Sequence, residues 1–270
     1  MRATIETGRC NVPALGFGTW QLEGDEAYDA VRTALDVGYR HIDTAQAYGN
    51  ETQIGRALAD SGLDRDEVFV TTKVWKDVAQ PSEVRTSTEE SLQRLGTDHV
   101  DLLLLHWPSD AAPLEATLEA MTELVDEHKT RHLGVSNFPS QPLERAVELA
   151  PIVTDQVEHH PYLAIDAIED VANEHDLFVT AYSPLARGRV TEDAVLREIA
   201  DTHDRTPPQI VLAWLLQRGV CAIPKSRSPE RIAANHEALE IELSQDELDR
   251  ITTLDRGLRL IDPPFAPAWD

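Results

Sequence analysis

Short apolar runs alternate with amphipathic segments along nearly the whole chain, and this alternation constrains the fold more than any other feature. The run 102–105 consists of four leucines, which is typical of a parallel strand that is buried on both faces. Between such runs, apolar residues recur at helical spacing. The first helical segment carries Ala27, Ala30, Val31, Ala34 and Leu35.

Eight strand–helix units follow one another in this way. The predicted strands lie at 15–19, 39–43, 68–73, 100–106, 133–136, 153–157, 178–183 and 220–224. Alternating strands and helices pair in parallel through right-handed crossovers, and eight such units in about 250 residues are typical of a closed (β/α)8 TIM barrel. We therefore predict an α/β fold with one barrel domain over residues 1–270.

Two additions to the plain barrel are predicted. A short β-hairpin covers residues 3–12, and extra helices at 191–203 and 208–218 lie late in the chain, after the seventh strand. An open doubly wound sheet is the alternative fold. It would require a Gly-x-Gly-x-x-Gly turn after the first strand, but Gly16 and Gly18 lie inside that strand, and no third glycine opens the next helix.

The charge balance excludes several classes of partner. The chain has 48 acidic and 24 basic residues, which gives a formal net charge of −24. Phosphate repels such a surface, so we expect no nucleic-acid partner. The chain has neither an apolar run long enough to span a membrane nor an apolar signal segment at its N-terminus, so we expect a cytoplasmic protein without membrane association.

Neither the cysteines nor the histidines form a known metal-binding motif. Cys10 and Cys221 are too few for a disulfide framework or a four-cysteine zinc site. His159 and His160 are adjacent, and on an extended segment they point to opposite sides. The motif His-Glu-x-x-His does not occur, so no metal site is predicted.

Polar and aromatic side chains stand at the carboxyl ends of the predicted strands. In a TIM barrel these ends converge on one mouth, where active sites are built. They are Trp20, Asp43 with Tyr48, Lys73 with Trp75, His106 with Trp107, Ser136 with Asn137, Gln156 with His159, Ser183, and Lys225 with Ser226. Each of these residues could instead have a purely structural role, such as an ion pair in the case of Lys73. Their convergence on one mouth favours a catalytic site.

Four of these residues are suited to proton transfer to an oxygen. A Lys73 ammonium beside Tyr48 would favour the phenolate and lower its pKa from about 10. Asp43 would keep Lys73 charged and oriented, and His106 would hydrogen-bond the same substrate oxygen.

The neighbouring residues suggest a wall and a helix cap. The indoles of Trp20, Trp75 and Trp107 would form an apolar wall that excludes water, with core packing as the alternative. The helix predicted from Asn50 to about Ser61 opens with Asn-Glu-Thr-Gln, which resembles a capping box.

A second candidate site lies late in the chain. Lys225, Arg227 and Arg231 cluster in a chain that is poor in bases, and Ser226 and Ser228 supply hydroxyls and backbone N–H groups. The turn joins a strand end to a helix start, a geometry suited to binding an anion. The alternative is a solvated basic turn.

These stretches together resemble the aldo-keto reductase family over nearly the whole chain. The matching motifs are Gly-Phe-Gly-Thr-Trp, Gly-Tyr-Arg-His-Ile-Asp-Thr-Ala with Tyr-Gly-Asn-Glu, Thr-Thr-Lys-Val-Trp, Val-Asp-Leu-Leu-Leu-Leu-His-Trp-Pro, Gly-Val-Ser-Asn-Phe, Gln-Val-Glu-His-His-Pro-Tyr, Tyr-Ser-Pro-Leu and Ile-Pro-Lys-Ser. The set is highly specific, and it is most similar to compact prokaryotic members such as diketogluconate reductases.

The resemblance implies an NADPH-dependent carbonyl reductase in which Tyr48 is the general acid of a tetrad with Asp43, Lys73 and His106. It implies an extended NADPH (or NADP+) that contacts, from the nicotinamide to the adenine, Ser136, Asn137, Gln156, Tyr182, Ser183, Pro184, Leu185, Lys225, Ser226, Arg231 and Asn235. Relatives often carry an uncharged residue at the position of Arg227, so we expect this arginine to strengthen the preference for NADPH.

The resemblance also implies a monomer that acts on a small carbonyl substrate. Larger relatives carry a long C-terminal substrate loop, whereas this chain ends soon after its last predicted helix, so an open and permissive pocket is expected. Two other functions stay open: a non-catalytic NADPH-binding sensor or channel-associated subunit, and a metal-free isomerase that needs no cofactor. The intact tetrad and the missing docking extensions argue against the sensor.

The acid excess generates a first testable prediction. Repulsion among the acids is strong in dilute buffer and is screened in molar salt, where the Debye length falls to about 3 Å. We therefore expect adaptation to high salt, with a Tm that rises as KCl is increased from 0.1 M to about 2 M in a thermal unfolding series. A Tm that falls steadily over this range would contradict the prediction.

Overall fold

The computed structural model describes residues 3–270, so the first two residues of the predicted domain lie outside the described part. It begins with an antiparallel hairpin of β1 (Thr4–Glu6) and β2 (Asn11–Pro13), as predicted. Val12 of this hairpin is fully buried and packs with Leu102 and other residues from the start of the barrel strands. The hairpin therefore covers the amino-terminal end of the barrel.

Eight parallel strands follow the hairpin, and each pairs with the next one along the chain. Their bounds are β3 (Phe17–Gly18), β4 (His41–Asp43), β5 (Phe69–Val74), β6 (Val100–Leu105), β7 (Thr130–Ser136), β8 (Ile152–Glu158), β9 (Phe178–Tyr182) and β10 (Cys221–Ala222). All eight strands were predicted, with bounds that differ by up to three residues.

Helices connect the strands and form the outer layer. They are α1 (Gly24–Val37), α2 (Glu51–Ala59), α3 (Pro81–Leu95), α4 (Leu114–Asp126), α5 (Ser140–Leu149), α6 (Asp166–Glu174), α7 (Ala194–His203), α8 (Pro207–Gln217), α9 (Pro229–His236) and α10 (Gln245–Thr252). The pair α7 and α8 confirms the extra helices predicted after the seventh strand. Within residues 3–270, no helix is both long enough and apolar enough to cross a membrane.

The first and last strands of the sheet meet and close the barrel. The backbone N–H of Gly16 donates to the oxygen of Ala222 at 2.9 Å, and that of Gly18 donates to the oxygen of Pro224 at 3.0 Å. A Cβ atom on Gly18 would lie only 2.8 Å from the carbonyl oxygen of Ile223. The missing side chain lets the two backbones approach, and the predicted (β/α)8 TIM barrel is confirmed.

The barrel has an inner and an outer apolar layer. The larger cluster lies between the strands and the helices, while the smaller one fills the barrel interior under the hairpin. The interior cluster includes Cys10 and Cys221, which are both buried and unpaired. Burial raises the pKa of Cys10 to about 12 and raises that of Cys221 as well. Both thiols are therefore protonated and unreactive at neutral pH.

The predicted capping role of Asn50 is wrong. Helix α2 does begin at the next residue, but the Asn50 side chain makes no capping hydrogen bond. Its amide donates to the carbonyl oxygens of Thr19 and Leu22, and its oxygen accepts from the hydroxyl of Thr44. Asn50 is buried, and it ties the loop after β3 to the loop after β4.

Asp155 of β8 is a buried acid that faces no cation. Its side chain is fully buried, and neither carboxyl oxygen has a hydrogen-bond partner of normal geometry among residues 3–270. Burial raises the pKa of Asp155 well above its ordinary value, and the charge of Asp270 acts in the same direction, although the backbone N–H groups of Phe138 and Gln156 oppose them. Burial in the folded protein therefore favours the protonated form of Asp155.

This acid predicts a pH-dependent loss of stability. The pKa of Asp155 is higher in the folded protein than in the unfolded chain, where it is about 3.9. Below about pH 4 the carboxyl is protonated in both states, so its contribution to the free energy of unfolding does not change with pH. As the pH rises from there toward the folded-state pKa, only the unfolded chain loses the proton, and the folded protein becomes less stable. We expect Asp155→Asn to raise the free energy of unfolding by roughly 1 kcal/mol or more at pH 8, with a gain that shrinks toward pH 4. Urea unfolding at both pH values measures this. Exposed Asp170 provides the matched control, and an equal response from Asp170→Asn would contradict the assignment.

Candidate active site

A buried ion pair lies at the carboxyl ends of two neighbouring strands. Asp43 ends β4, and Lys73 lies near the end of β5. The Lys73 Nζ donates to Asp43 Oδ1 at 2.5 Å and to the carbonyl oxygen of Thr44 at 2.8 Å. Burial lowers the pKa of Lys73, and the charge of Asp43 opposes this effect. Gln156 reaches across the barrel and donates from Nε2 to the other Asp43 oxygen at 2.7 Å.

Tyr48 stands above this pair. It ends a short 3-10 turn, 46–48, that follows β4, and its hydroxyl oxygen lies 3.5 Å from Lys73 Nζ. Burial raises the pKa of Tyr48 well above its ordinary value, and the charge of Asp43 adds to the rise. The predicted lowering by Lys73 is therefore wrong, because burial dominates and the charge of Asp43 acts in the same direction. Tyr48 carries its proton at neutral pH.

His106 completes the polar group at this end of the site. It directly follows β6, and its ring lies edge-on to the rings of Tyr48 and Trp75, with centroid separations of 5.7 and 5.2 Å. Burial, reinforced by the charge of Lys73, lowers the pKa of His106 well below its ordinary value. The neutral ring keeps a single N–H, and its Nδ1 has no protein partner in the described part of the chain. Such a ring can donate one hydrogen bond to a substrate oxygen.

Aromatic residues surround these groups, as the sequence predicts. Trp20, Trp75 and Trp107 all line the cavity above Tyr48. Trp107 is buried, whereas Trp20 is 40% exposed at the rim.

A C-terminal segment that the sequence reading did not anticipate also reaches the mouth. Phe265 packs edge-on against Trp75 and Trp107 at centroid separations of 5.8 and 5.3 Å. Its phenyl ring also lies 4.9 Å from the ammonium of Lys76. Phe265 does not line the cavity itself, so the expectation of an open and permissive pocket stays a prediction. The C-terminal segment of this compact chain thus lies beside the mouth, where larger relatives are expected to carry a long substrate loop.

Two acids hold the C-terminal segment in place. The buried carboxylate of Glu158, at the end of β8, accepts hydrogen bonds from the backbone N–H groups of Leu260 and Ile261 at 2.8 to 3.1 Å. The side chain of Asp270 accepts from the backbone N–H and the hydroxyl of Ser140, at the start of α5, at 2.9 Å each. These long-range contacts leave no local signal in the sequence.

The predicted nicotinamide residues form one hydrogen-bonded group beside Tyr48. The Ser136 hydroxyl donates to the Gln156 backbone oxygen at 2.8 Å, and the Asn137 amide donates to the His106 backbone oxygen at 2.9 Å. The Tyr182 hydroxyl donates to the side-chain oxygen of Asn137 at 2.7 Å. This bond fixes the Tyr182 ring in the cavity wall.

The loop after β9 carries an unusual concentration of left-handed backbone. Ser183, Ala186 and Arg187 have φ values of 48°, 46° and 53°, although none of them is glycine. Strain of this kind is often found at functional sites. Arg187, which the sequence reading did not single out, places its guanidinium 5.5 Å from the ring of Trp20, and both line the cavity. The predicted residues Ser183, Pro184 and Leu185 line it as well.

The basic turn lies at the far end of the same cavity. The predicted residues Lys225, Ser226, Arg227, Arg231 and Asn235 all contribute to its lining. Ser228 caps α9 by accepting from the backbone N–H of Arg231 at 3.3 Å.

One continuous cavity of about 1500 Å³ joins the two ends of the site. It includes all the residues predicted at the mouth except two: Lys73, which is fully buried beneath it, and His159, which instead packs against Trp214 and bonds the backbone oxygen of Leu163. One end offers a protonated phenol and a neutral imidazole, and the other offers three basic side chains. The arrangement can protonate an oxygen at the first end while it holds an anionic group at the second.

Comparison with known proteins agrees with this geometry. The model of the aldo/keto reductase family matches residues 14–256. A methylglyoxal reductase DkgB from Salmonella typhi is 40% identical over 96% of this chain and 99% of its own length, and a methylglyoxal reductase DkgA from Escherichia coli K12 is 39% identical over 92% of each chain.

Solved structures give the same result. A crystal structure provisionally named a 2,5-diketo-D-gluconic acid reductase B superposes with a TM-score of 0.98 at 39% identity, covering 100% of this chain and 98% of that one. An aldo/keto reductase from Brucella melitensis superposes with a TM-score of 0.89 at 38% identity, covering 93% and 99%. The chain therefore belongs to the aldo/keto reductase family.

Proposed function

We propose that this protein reduces aldehydes and ketones to alcohols with NADPH as the reductant and Tyr48 as the proton donor. The observation that supports this most strongly is the stack of Asp43, Lys73 and the Tyr48 hydroxyl beside neutral His106. It stands at one end of a cavity whose other end is basic. The names of the relatives suggest small dicarbonyl compounds such as methylglyoxal as substrates.

The residues of the long cavity fit an extended dinucleotide. Tyr182 offers an aromatic ring held in the wall by Asn137, and Lys225 and Arg231 offer positive charge at the far end. Ser136, Asn137 and Gln156 would hold the nicotinamide amide, Ser183–Leu185 would follow the pyrophosphate, and Asn235 would contact the adenine. When bound, NADPH supplies the hydride that the carbonyl carbon receives.

The side chains of the tetrad then orient and protonate the carbonyl oxygen. His106 donates a hydrogen bond that orients the oxygen toward Tyr48. Tyr48 gives its proton to the developing alkoxide, and its raised pKa keeps that proton available at neutral pH. Lys73, held charged by Asp43, stabilises the phenolate that remains. The wall of Trp20, Trp75 and Trp107 excludes water from the reacting atoms.

Substitution of the proton donor tests the proposal. We expect Tyr48→Phe to lower kcat for NADPH-dependent reduction of methylglyoxal by at least about 100-fold, because the other phenol of the cavity, Tyr182, already donates its proton to Asn137. The Kd for NADPH, measured by quenching of tryptophan fluorescence, should stay within about threefold of the wild-type value because the cofactor contacts are untouched.

The control is Tyr28→Phe, which removes a hydroxyl that only bonds Asp60 on the outer surface. Undiminished turnover by Tyr48→Phe would refute the assigned role. If the wild type binds NADPH but reduces nothing in a broad carbonyl panel, a sensor is the better description. If NADPH does not quench the fluorescence at all, the isomerase is favoured.

The C-terminal segment predicts a preference for aromatic substrates. Phe265 does not line the cavity itself, but it packs edge-on against Trp75 and Trp107 and is 42% exposed, so a phenyl group that extends past these indoles would pack against it. We expect Phe265→Ala to raise KM for phenylglyoxal about tenfold while KM for methylglyoxal changes by less than about threefold. Phe265→Leu keeps most of the apolar surface and is the matched control. An equal rise for both substrates in Phe265→Ala would contradict a contact with the phenyl group.

A further inference from the structure

An acid from α1 is paired with the basic turn. Nε of Arg227 lies 2.8 Å from the carboxylate of Glu26, and its Nη2 donates to the backbone oxygen of Gln21 at 2.9 Å. Among residues 3–270, Glu26 makes no other ion pair or side-chain hydrogen bond. Both partners of Arg227 come from the segment that follows β3, the strand next to β10 at the barrel seam.

The influence of Glu26 extends beyond this one contact. Burial lowers the pKa of Lys225, and the charge of Arg227 adds to this, while the charge of Glu26 opposes them. Glu26 therefore acts electrostatically on two of the three bases at this end of the cavity. In a turn whose positive charge is its distinguishing property, one carboxylate cancels part of that charge.

We propose that Glu26 is a specificity-determining residue, an internal anion that competes with the 2′-phosphate of the cofactor for Arg227. This inference rests on the proposed use of NADPH. A bound 2′-phosphate must draw Arg227 away from Glu26 or share it, and the two negative groups repel each other. NADH has no 2′-phosphate, so it escapes this competition. Glu26 thus lowers the preference for NADPH over NADH, which Arg227 alone would raise.

The exposure of the pair sets the size of the effect. The side chains of Arg227 and Glu26 are 59% and 43% exposed, so water and salt weaken their attraction. Removing the acid should therefore strengthen binding of a 2′-phosphate about two- to fivefold in dilute salt. At about 2 M KCl the difference should vanish, because charges this exposed are screened within a few ångströms.

The opposite role would give the opposite sign. If the contact with Glu26 served to hold Arg227 ready for the phosphate, its removal would free the guanidinium to move and would weaken binding. The direction of the change therefore decides between competition and positioning.

Calorimetric titration with nucleotide fragments provides the test. The probes are adenosine 2′,5′-bisphosphate, which carries the 2′-phosphate, and 5′-AMP, which lacks it. The variants are Glu26→Gln, Arg227→Ala, the double variant, and Asp25→Asn as a control that removes an equal, exposed and unpaired charge next to Glu26. All are titrated at the lowest KCl concentration at which circular dichroism shows them equally folded, and again at 2 M KCl.

Competition predicts that Glu26→Gln alone lowers the Kd for the bisphosphate and leaves the Kd for 5′-AMP unchanged. It also predicts that the gain disappears in the Arg227→Ala background. A higher or unchanged Kd for the bisphosphate, or an equal gain from Asp25→Asn, would overturn the inference while leaving the proposed cofactor intact. If the wild type does not bind the bisphosphate more tightly than 5′-AMP, the use of NADPH itself fails, and this inference fails with it.

Discussion

The site depends on one buried charge pair, the ammonium of Lys73 and the carboxylate of Asp43. Both side chains are almost fully removed from water, and removing one partner of such a pair typically costs 3–5 kcal/mol because the other is left unpaired. The pair is also a junction: Thr44 accepts from Lys73, and Gln156 donates to Asp43 from the opposite side of the barrel. The strands that fold around this charge are the same strands that carry the residues of the proposed tetrad, so the stability of the barrel and the proposed chemistry depend on one contact.

The strand pattern and the strand ends could be predicted from the sequence because their physical causes are local. Four consecutive leucines mark β6 as buried on both faces, and closure of the barrel then brings His106 to the same mouth as Asp43 and Lys73. What a strand presents at its carboxyl end follows from its position in the sequence once the fold class is known.

The errors have a common physical origin in contacts between distant parts of the chain. Asn50 was expected to cap its own helix, but its side-chain oxygen accepts from the Thr44 hydroxyl, and its amide donates to two buried carbonyl oxygens after β3. The pKa of Tyr48 was expected to fall, but burial and the nearby charge of Asp43 raise it, and neither effect can be read from the spacing of residues in the sequence. Phe265 and Glu26 act across more than a hundred residues of sequence, so only the folded chain makes them neighbours of the site.

The two cysteines have a practical consequence. Cys10 precedes β2 in the hairpin that covers the barrel, and Cys221 lies in β10 at the seam beneath it. A thiol reagent reaches neither in the native state, so pulsed alkylation reads out opening events directly. Modification of Cys10 alone would report fraying of the hairpin turn, whereas modification of both would report lifting of the whole hairpin, because the Cys221 thiol lies 3.7 Å from the Pro13 carbonyl oxygen. The two thiols are thus intrinsic probes that distinguish a small local opening from a larger one.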